Sequence, residues 1–512
     1  MAAEPQVPNT SIVDFMTRRD VMIALSLANL MYLDVWVEFL SPLRESDRSF
    51  RSPPGVQDFA AVIVNVVLLT LLFVGAVAVV RRIAPSFVMR PIRWAFLLCL
   101  LSPLNQIRVR YENKPPFEET LVRFSSTHGL MLAIGVVVAL FLIVRFEQQM
   151  TSVAKTALLI LFPLVLLTFA RATWGMAIVA QAHPPAAMPH TDASDCAEPQ
   201  RVIWLIFDGM NGGDDVFGNS AKVPLPNLRQ LRQESVYAPH AFAPGVETRI
   251  SMPSYILGRK ISSLVRTNSD RLYFTEARNE SYSWEDEPTI FSKAKENGLR
   301  TALIGWYMPY CSVMSASLDS CYTQFFDTAI PNDRSGVISR ILFQATRRVP
   351  FYFNAEHVAR ARNSLAKAIE AGTDPNHGFV MIHWPVPHFP QIYDRVSHRY
   401  TRLRSFFNDD AYLDNAVLAD DLFGEFQSAL RRSDLWDSTI IVVTADHASP
   451  LPPEPDISKI PVPFFIKMRG QNRGMVVDFP IGTLLIHDLS LAMMCGQVKT
   501  PFETIEWMRL HH

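Results

Sequence analysis

The sequence lacks the features that mark several common classes of protein. Its 512 residues carry 48 lysines and arginines against 49 aspartates and glutamates, so no nucleic-acid partner and no acidic tail are indicated. There is no internal repeat, which argues against a solenoid or propeller. None of the five cysteines stands in a CxxC or zinc-finger spacing. No small-residue cleavage site follows the first apolar segment, so that segment is expected to stay in the protein.

The surroundings of three of the cysteines in the sequence nevertheless allow predictions. Cys311 and Cys321 are near enough in sequence to form a disulfide if their domain faces an oxidising compartment. Cys99 lies in an apolar segment and is expected to be a small core residue.

Long apolar runs dominate the sequence before residue 181. They lie near residues 21–41, 59–80, 94–107, 129–144 and 157–180. Most have the ~20 residues needed to cross a bilayer, so we predict a membrane domain of about five helices over residues 1–180. Four is the alternative, because 94–107 is short and contains Pro103. Asp34 and Glu38, near the end of the first run, are expected at the membrane interface.

The orientation of this membrane domain follows only from the number of spans. Lysines and arginines of the loops are almost equally divided between the two sides and do not decide it. With five spans and a cytoplasmic N-terminus, the C-terminal part would face the periplasm or the exterior. The prediction is therefore a bacterial inner-membrane protein with its second domain outside the cytoplasm.

A different pattern begins after a Pro/Ala/Ser-rich linker at residues 181–200. From 201 to 512, apolar strands alternate with helices, which predicts a mostly parallel sheet flanked by helices. The strand candidates are 202–207, 301–305, 379–383, 439–445 and 463–467. The helix candidates are 226–234, 288–297, 355–371, 411–432 and 480–495.

Metal-ligand side chains end three of these apolar strands. VIWLIFDG (202–209) ends in Asp208, TIIVVTADHAS (439–449) ends in Asp446 and His447, and GFVMIHWPVPH (378–388) carries His383 and His388. Open α/β sheets place ligands at the carboxyl ends of their strands. Each aspartate alone would be an ordinary turn former. Their joint occurrence predicts a metal centre.

Thr248 supplies a hydroxyl for the same centre. It stands at the start of a helical stretch within PGVETRISMPSYILG (244–258), where free N–H groups favour an anion. A threonine alcohol is too basic to attack unaided and needs a metal to lower its pKa. With Asp208, Asp446 and His447 it forms a mixed oxygen and nitrogen set suited to Zn²⁺, with another divalent ion as the alternative. A helix cap is the plainer interpretation of Thr248.

Five segments after residue 200 resemble the alkaline phosphatase/sulfatase superfamily. PNLRQLRQESVYAPHAFAP (226–244) and IPVPFFIK (460–467) are similar to segments found across the superfamily. ETRISMPS (247–254), HWPVPH (383–388) and VVTADHAS (442–449) resemble motifs of its membrane-anchored phosphoethanolamine and phosphoglycerol transferases. Spanning helices followed by an outward-facing catalytic domain are also the plan of those transferases.

This resemblance implies an alkaline-phosphatase-like fold and a specific set of roles. Thr248 would be the nucleophile, and Asp208, Thr248, Asp446 and His447 would hold one zinc. His383 and His388 would contact the phosphate or the leaving group. The implied reaction transfers a phosphoryl head group from a phospholipid donor to a lipid or cell-envelope glycan through a phospho-threonine.

Departures from the transferase motifs keep other functions open. The transferases carry glutamate where this chain has Asp208, and their GES after Asp-His is replaced by Ala448-Ser449. Ser251, which opens a sulfatase-like SMPS, is a rival nucleophile, so a sulfatase or phosphodiesterase acting on cell-surface esters is one alternative. The other is a catalytically degenerate envelope-binding protein, because no further downstream histidine is found.

Overall fold

The computed structural model of the chain describes residues 17–40, 54–83, 89–112, 129–181, 196, 198–212, 216–217, 221–266, 271–276, 280–325, 329–331, 336–348, 352–401, 409–449 and 456–511. Its helices are α1 (Arg18–Met31), α2 (Leu33–Leu40), α3 (Val56–Ile83), α4 (Met89–Cys99), α5 (Leu101–Glu112), α6 (Gly129–Ile160), α7 (Phe162–Gln181), α8 (Pro226–Gln233), α9 (Thr248–Leu257), α10 (Ile290–Glu296), α11 (Tyr310–Val313), α12 (Val337–Thr346), α13 (Tyr352–Thr373), α14 (Asp409–Arg432), α15 (Ile486–Met494) and α16 (Pro501–His511).

The strands are β1 (Val202–Asp208), β2 (Val236–Tyr237), β3 (Ala241–Phe242), β4 (Ile261–Arg266), β5 (Leu272–Glu276), β6 (Ser281–Ser283), β7 (Arg300–Trp306), β8 (Ser320–Gln324), β9 (His377–Pro387), β10 (Tyr393–Asp394), β11 (Arg399–Tyr400), β12 (Ile440–Ala445), β13 (Phe465–Lys467), β14 (Met475–Val476) and β15 (Ile481–Gly482). The chain divides into two compact units. The first comprises residues 1–42, 53–184 and 328–352, and the second comprises residues 43–52, 185–327 and 353–512.

The first unit contains the apolar helices. Within the described residues, Val56–Arg82 and Val144–Ile178 are long and apolar enough to cross a membrane. The pair α1 and α2, bent by 65°, counts as a third if it forms one span. The predicted segment 94–107 divides between α4 and α5, and neither helix reaches that length. The arrangement of five spans stays a prediction.

Acidic side chains of the first unit have protein partners. Asp34 accepts a hydrogen bond from the Arg348 guanidinium at 2.5 Å, and Glu38 accepts one from the Ala329 amide at 3.0 Å. Both partners belong to the segment 328–352, which is far from the apolar helices in sequence. The packing of this segment with the apolar helices therefore cannot be predicted from its position in the sequence.

The second unit is built on a sheet whose eight strands, in the described part of the chain, follow the order β14-β2-β13-β12-β1-β9-β7-β8. β1 lies at its centre and pairs in parallel with both β12 and β9. Alternate residues of β1 pack on opposite faces: Trp204 and Ile206 join one apolar core, while Leu205 and Phe207 join the other. Burial on both faces explains why this strand has an unbroken apolar sequence.

The predicted fold class, apolar N-terminal helices followed by an α/β domain with a mostly parallel sheet, is confirmed. All five strand candidates fall on observed strands, although β13 runs antiparallel to its neighbours. The edge strands β8 and β14, and β2 beside β14, were not predicted. The helix expected at 480–495 covers only Ile486–Met494.

Two disulfides belong to the second unit. Cys311 and Cys321 are bonded, with Cα atoms 5.6 Å apart, as their spacing predicts. Cys196 and Cys495 form a second bond across 299 residues, which sequence proximity cannot suggest. Cys99 is a half-buried free cysteine of the first unit.

Candidate metal centre

The carboxyl ends of two neighbouring parallel strands bring Asp208 and Asp446 together. β1 pairs with β12 up to Phe207, which lies opposite Ala445, and the next residue on each strand is an aspartate. The amide of Asp446 donates to the carbonyl of Phe207 at 3.1 Å and keeps the two strand ends in register. Both carboxylates are fully buried. One oxygen of each lies within 4.8 Å of the other and of one ring nitrogen of His447.

The turn after Asp208 needs a glycine. Gly209 has a φ of +73°, and a Cβ there would lie 2.8 Å from the hydroxyl of Ser449. That hydroxyl donates to the Gly209 carbonyl at 2.6 Å, and the Ser449 amide donates to the side-chain oxygen of Asn211 at 2.7 Å. The Gly209 amide donates to Asp446 Oδ1 at 3.0 Å. The loops that follow β1 and β12 are therefore hydrogen-bonded to each other.

His447 presents one ring nitrogen to both carboxylates. Its Nδ1 lies 2.8 Å from the carbonyl oxygen of Ala448, which only accepts, so Nδ1 carries a proton. Nε2 lies 3.5 Å from Asp208 Oδ1 and 3.6 Å from Asp446 Oδ2. A backbone carbonyl that holds the far N–H is the usual arrangement of a metal-binding imidazole.

Thr248 is the first residue of α9, and its side chain points at the same group. Its hydroxyl donates to Asp446 Oδ2 at 2.7 Å and lies 3.5 Å from His447 Nε2. Ser251, one turn further on, is fully buried, and its hydroxyl has no hydrogen-bond partner in the described structure. It lies 3.1 Å from the position that a Cβ on Gly245 would take. Of the two candidate nucleophiles, Thr248 is the one in contact with the aspartate and the histidine.

His383 also faces the carboxylates. It lies in β9 opposite Ile206 of β1 and is fully buried. Its Nδ1 is 3.1 Å from the Tyr310 hydroxyl. Its Nε2 lies 3.7 Å from Asp446 Oδ2 and 4.0 Å from Asp208 Oδ2, and it has no hydrogen-bond partner among the described residues. The structure thus adds a second imidazole to the cluster of two aspartates, Thr248 and His447.

His388 is placed beside Trp306, outside the group of Asp208, Asp446 and His447. A register shift between Phe207 and Asp208 sets Asp208 opposite Pro387, the residue before His388. Such an irregularity is common next to functional sites. The ring of His388 is half-buried, and its centroid lies 5.5 Å from that of Trp306.

Trp306 connects the edge of the site to its carboxylates. It ends β7, is fully buried, and its indole N–H donates to Asp208 Oδ2. Its ring also lies 5.5 Å from that of His357, which is buried too. The contact of this N–H with Asp208 depends on the tertiary arrangement of β7 and β1, so no spacing in the sequence predicts it.

The two aspartates have opposite pKa shifts. Burial and the neighbouring charge of Asp446 raise the pKa of Asp208 above its usual value. Burial also acts to raise the pKa of Asp446, but the charges of His447 and His383 and the Thr248 hydroxyl bring it below its usual range. Without a cation, the surroundings therefore favour the ionised form of Asp446 and disfavour that of Asp208.

The residues present fit a divalent metal. Asp208 Oδ1 and His383 Nε2 are buried and have no hydrogen-bond partner in the described part of the chain. Two buried carboxylates at such close range need a positive charge between them to ionise together. Two carboxylate oxygens, an imidazole nitrogen and the Thr248 oxygen form a set of four donors, the number that Zn²⁺ takes in proteins.

Strand-end carboxylates, an imidazole and a helix-start hydroxyl define an α/β protein with a candidate metal centre. The sequence profile of the Sulfatase family matches residues 200–484, more than half of the chain. The chain belongs to this family, whose members generally bind a divalent metal.

Other comparisons give weaker likenesses. No curated protein sequence matches the chain. Among solved structures, the lipoteichoic acid synthase LtaP from Listeria monocytogenes is similar with a TM-score of 0.39 and 14% identity, over 58% of this chain and 72% of that one. An alkaline phosphatase superfamily protein from Vibrio parahaemolyticus has a TM-score of 0.39 and 16% identity, over 62% and 71%. The putative sulfatase yidJ from Bacteroides fragilis has a TM-score of 0.40 and 13% identity, over 63% and 79%.

Proposed function

We propose that this protein is a membrane-anchored, metal-dependent phosphoryl-group transferase. The observation that carries the proposal is the position of the Thr248 hydroxyl, 2.7 Å from Asp446 Oδ2 and 3.5 Å from His447 Nε2 at the start of α9. A sulfatase-type mechanism would need Ser251 in that position, and the Ser251 hydroxyl makes no hydrogen bond there. The orientation of the hydroxyls therefore supports a threonine nucleophile.

Asp208, Thr248, Asp446 and His447 would hold the metal, which we propose to be Zn²⁺. When bound, it would lower the pKa of the Thr248 hydroxyl and withdraw charge from the phosphoryl oxygens. The protein would contribute the geometry. Asp446 Oδ2 already accepts the Thr248 hydrogen bond, and Trp306 fixes the Asp208 carboxylate. The N-terminus of α9 favours the negative charge of the phosphoryl group.

The proposed reaction has two balanced steps. In the first, the Thr248 hydroxyl gives up its proton to solvent, its oxygen bonds to phosphorus, and the ester bond to the donor alcohol breaks. The departing alkoxide takes a proton, which His383 or His388 would supply. In the second, an acceptor hydroxyl attacks phosphorus and passes its proton to the histidine that protonated the donor alkoxide. The bond to Thr248 breaks, and the Thr248 oxygen takes back a proton from solvent. A phospho-threonine carries the group between the two steps.

Apolar helices in the same chain favour a lipid donor, because a soluble substrate would not require them. We propose a phospholipid that gives up a phosphoethanolamine or phosphoglycerol group, and an acceptor in a lipid or glycan of the cell envelope. The corresponding location is a bacterial inner membrane with the second unit in the periplasm or outside the cell.

The test is detection of the covalent intermediate. The full chain is reconstituted with Zn²⁺ and either phosphatidylethanolamine or phosphatidylglycerol, without acceptor, and peptides are analysed by mass spectrometry. A phosphoethanolamine or phosphoglycerol adduct on Thr248 is expected, and Thr248→Ala should lose both adduct and turnover. Thr248→Ser is the matched control, since it keeps the hydroxyl and should keep part of the activity.

The same experiment separates the alternatives. Ser251→Ala should change turnover by less than about tenfold, because an unpartnered hydroxyl contributes less than the ~1 kcal/mol of a typical hydrogen bond. Turnover that depends on Ser251 and not on Thr248 would replace the proposal with a sulfatase-like reaction. Release of the free head group without transfer would indicate a phosphodiesterase. A chain that retains no metal after dialysis and forms no adduct would be a degenerate binding protein.

A further inference from the structure

The helix α12 (Val337–Thr346) interrupts the second unit in sequence but belongs to the first. The chain leaves the second unit after Asp327 and returns to it at Phe353, so the segment 328–352 links the two units independently of the linker at 181–200. α12 is a short apolar helix with one polar side.

The polar side of α12 is bound to α3. The Arg340 guanidinium donates to Asp58 Oδ1 at 2.7 Å, and these side chains are 8% and 3% exposed. The Asn65 amide donates to the carbonyl oxygen of Ile341 at 3.0 Å, and the Gln344 amide donates to the Asp58 carbonyl at 3.2 Å. Polar side chains within an apolar helix are costly in a bilayer unless they are paired. The polar residues of α3 and α12 satisfy one another.

The apolar side of α12 is uncovered. Ile338 is 72% exposed and Leu342, one turn on, is 61% exposed. On α3, Leu68 and Leu71 are also exposed, at 52% and 60%. Exposed large apolar side chains of this kind mark an interaction site.

The point on α3 at which α12 is bound indicates the surroundings of the exposed side chains of α12. The sixteen residues from Asn65 to Arg81, in the last turn of α3, correspond to about 24 Å of helix. The hydrocarbon core of a bilayer is about 30 Å thick. If Arg81 marks one boundary of that core, Asn65 lies about 6 Å inside the other boundary. That depth is typical of an interfacial amphipathic helix, whose apolar face enters about 5–10 Å.

We propose that α12 is an interfacial helix whose Ile338 and Leu342 side chains insert among the acyl chains of the leaflet at the N-terminal end of α3. The proposal needs α3 to span the membrane and is independent of the chemistry at Thr248. It assigns the segment 328–352 as a second membrane attachment, in addition to the predicted spans.

Spin labels can measure the surroundings of this face. In a Cys99→Ala background, Ile338→Cys and Leu342→Cys are labelled separately in the full chain, in vesicles of phosphatidylcholine and phosphatidylglycerol. Collision rates with oxygen, which concentrates in acyl chains, and with a water-soluble nickel chelate are compared. Leu72→Cys, 65% exposed on α3, is the lipid control, and Val396→Cys, 85% exposed in the second unit, is the water control.

Labels at 338 and 342 should give an oxygen-to-nickel ratio several-fold above that at 396 and close to that at 72. A ratio equal to that at 396 would place the face in water and overturn the proposal. Exclusion of both reagents would also overturn it, since the face would then be covered by protein, for instance a second copy. A water-like ratio at 72 would show that α3 does not span and would remove its premise. All four substituted side chains are exposed and leave the Asp58–Arg340 pair intact, so the variants should fold.

Discussion

Trp306→Phe should weaken metal binding without removing any of the proposed ligands. The indole N–H donates to Asp208 Oδ2, and both side chains are fully buried. Phenylalanine keeps most of the apolar volume and loses only this donor. A buried hydrogen bond to a charged group contributes about 1.5–3 kcal/mol. At about 1.4 kcal/mol for each factor of ten, the Zn²⁺ dissociation constant should rise by about 10- to 100-fold.

The same substitution should also shift the pH dependence of zinc binding to higher pH. Burial and Asp446 already raise the pKa of Asp208, and a ligand carboxylate must lose its proton to bind metal. The lost hydrogen bond favoured the ionised form, so Trp306→Phe raises this pKa further. Zinc affinity, which falls as the pH drops through the pKa of Asp208, should therefore begin to fall at a higher pH in the variant.

Trp384→Phe is the matched control. Trp384 is also fully buried and packs on Phe207 with ring centroids 5.6 Å apart, but its indole nitrogen has no hydrogen-bond partner in the described structure. The two variants lose the same volume and differ in the hydrogen bond. Zinc affinity is measured by competition with a chelator at several pH values. Equal losses in both variants would refute the assigned role of the Trp306 N–H.

Three further predictions concern stability. Replacing Cys311 and Cys321 by serine should cost about 2–3 kcal/mol of unfolding free energy, measured by denaturant titration, whereas Cys99→Ser should cost little. Asp58→Ala removes the carboxylate that the buried Arg340 guanidinium contacts and should cost about 3–5 kcal/mol in the same titration. Asp20→Ala, at a more exposed pair, should cost at most about 1 kcal/mol. Burial raises the pKa of Asp420 to about 6, so its contribution to stability is greatest below about pH 4 and falls as the pH rises through 6. Asp420→Asn should flatten the pH dependence of urea unfolding in that window, and an unchanged profile would contradict this assignment.

The residues that were predictable from sequence owe their position to backbone topology. β1 is apolar throughout because both of its faces are buried, and that pattern is visible without a structure. Once parallel strands are inferred, Asp208 and Asp446 must lie at the same edge of the sheet. The apolar N-terminal helices follow equally from composition. These features can be predicted from the direction of the chain and the periodicity of its apolar side chains alone.

Features that depend on side-chain direction were not predictable. Tyr310 reaches His383 and Trp306 reaches Asp208 across different elements, and no spacing in the sequence encodes either contact. Ser449 was noted only as a departure from the transferase motif, yet its hydroxyl donates to Gly209. The strands β2 and β14 have two residues each, too few for a periodic signal. That the segment 328–352 belongs to the first unit is recognisable only through partners such as Asp58.

The two aspartates accept different numbers of hydrogen bonds, and this difference explains why the contact of Trp306 with Asp208 is important. Asp446 accepts hydrogen bonds from the Gly209 amide, its neighbouring His447 amide and the Thr248 hydroxyl. It is therefore held as a carboxylate before any metal arrives. Asp208 accepts one hydrogen bond, from Trp306, and its other oxygen has no partner in the described structure. Ionising Asp208 is thus the less favourable of the two ionisations when the centre is loaded. The indole N–H supports that ionised form together with the charges of the neighbouring histidines.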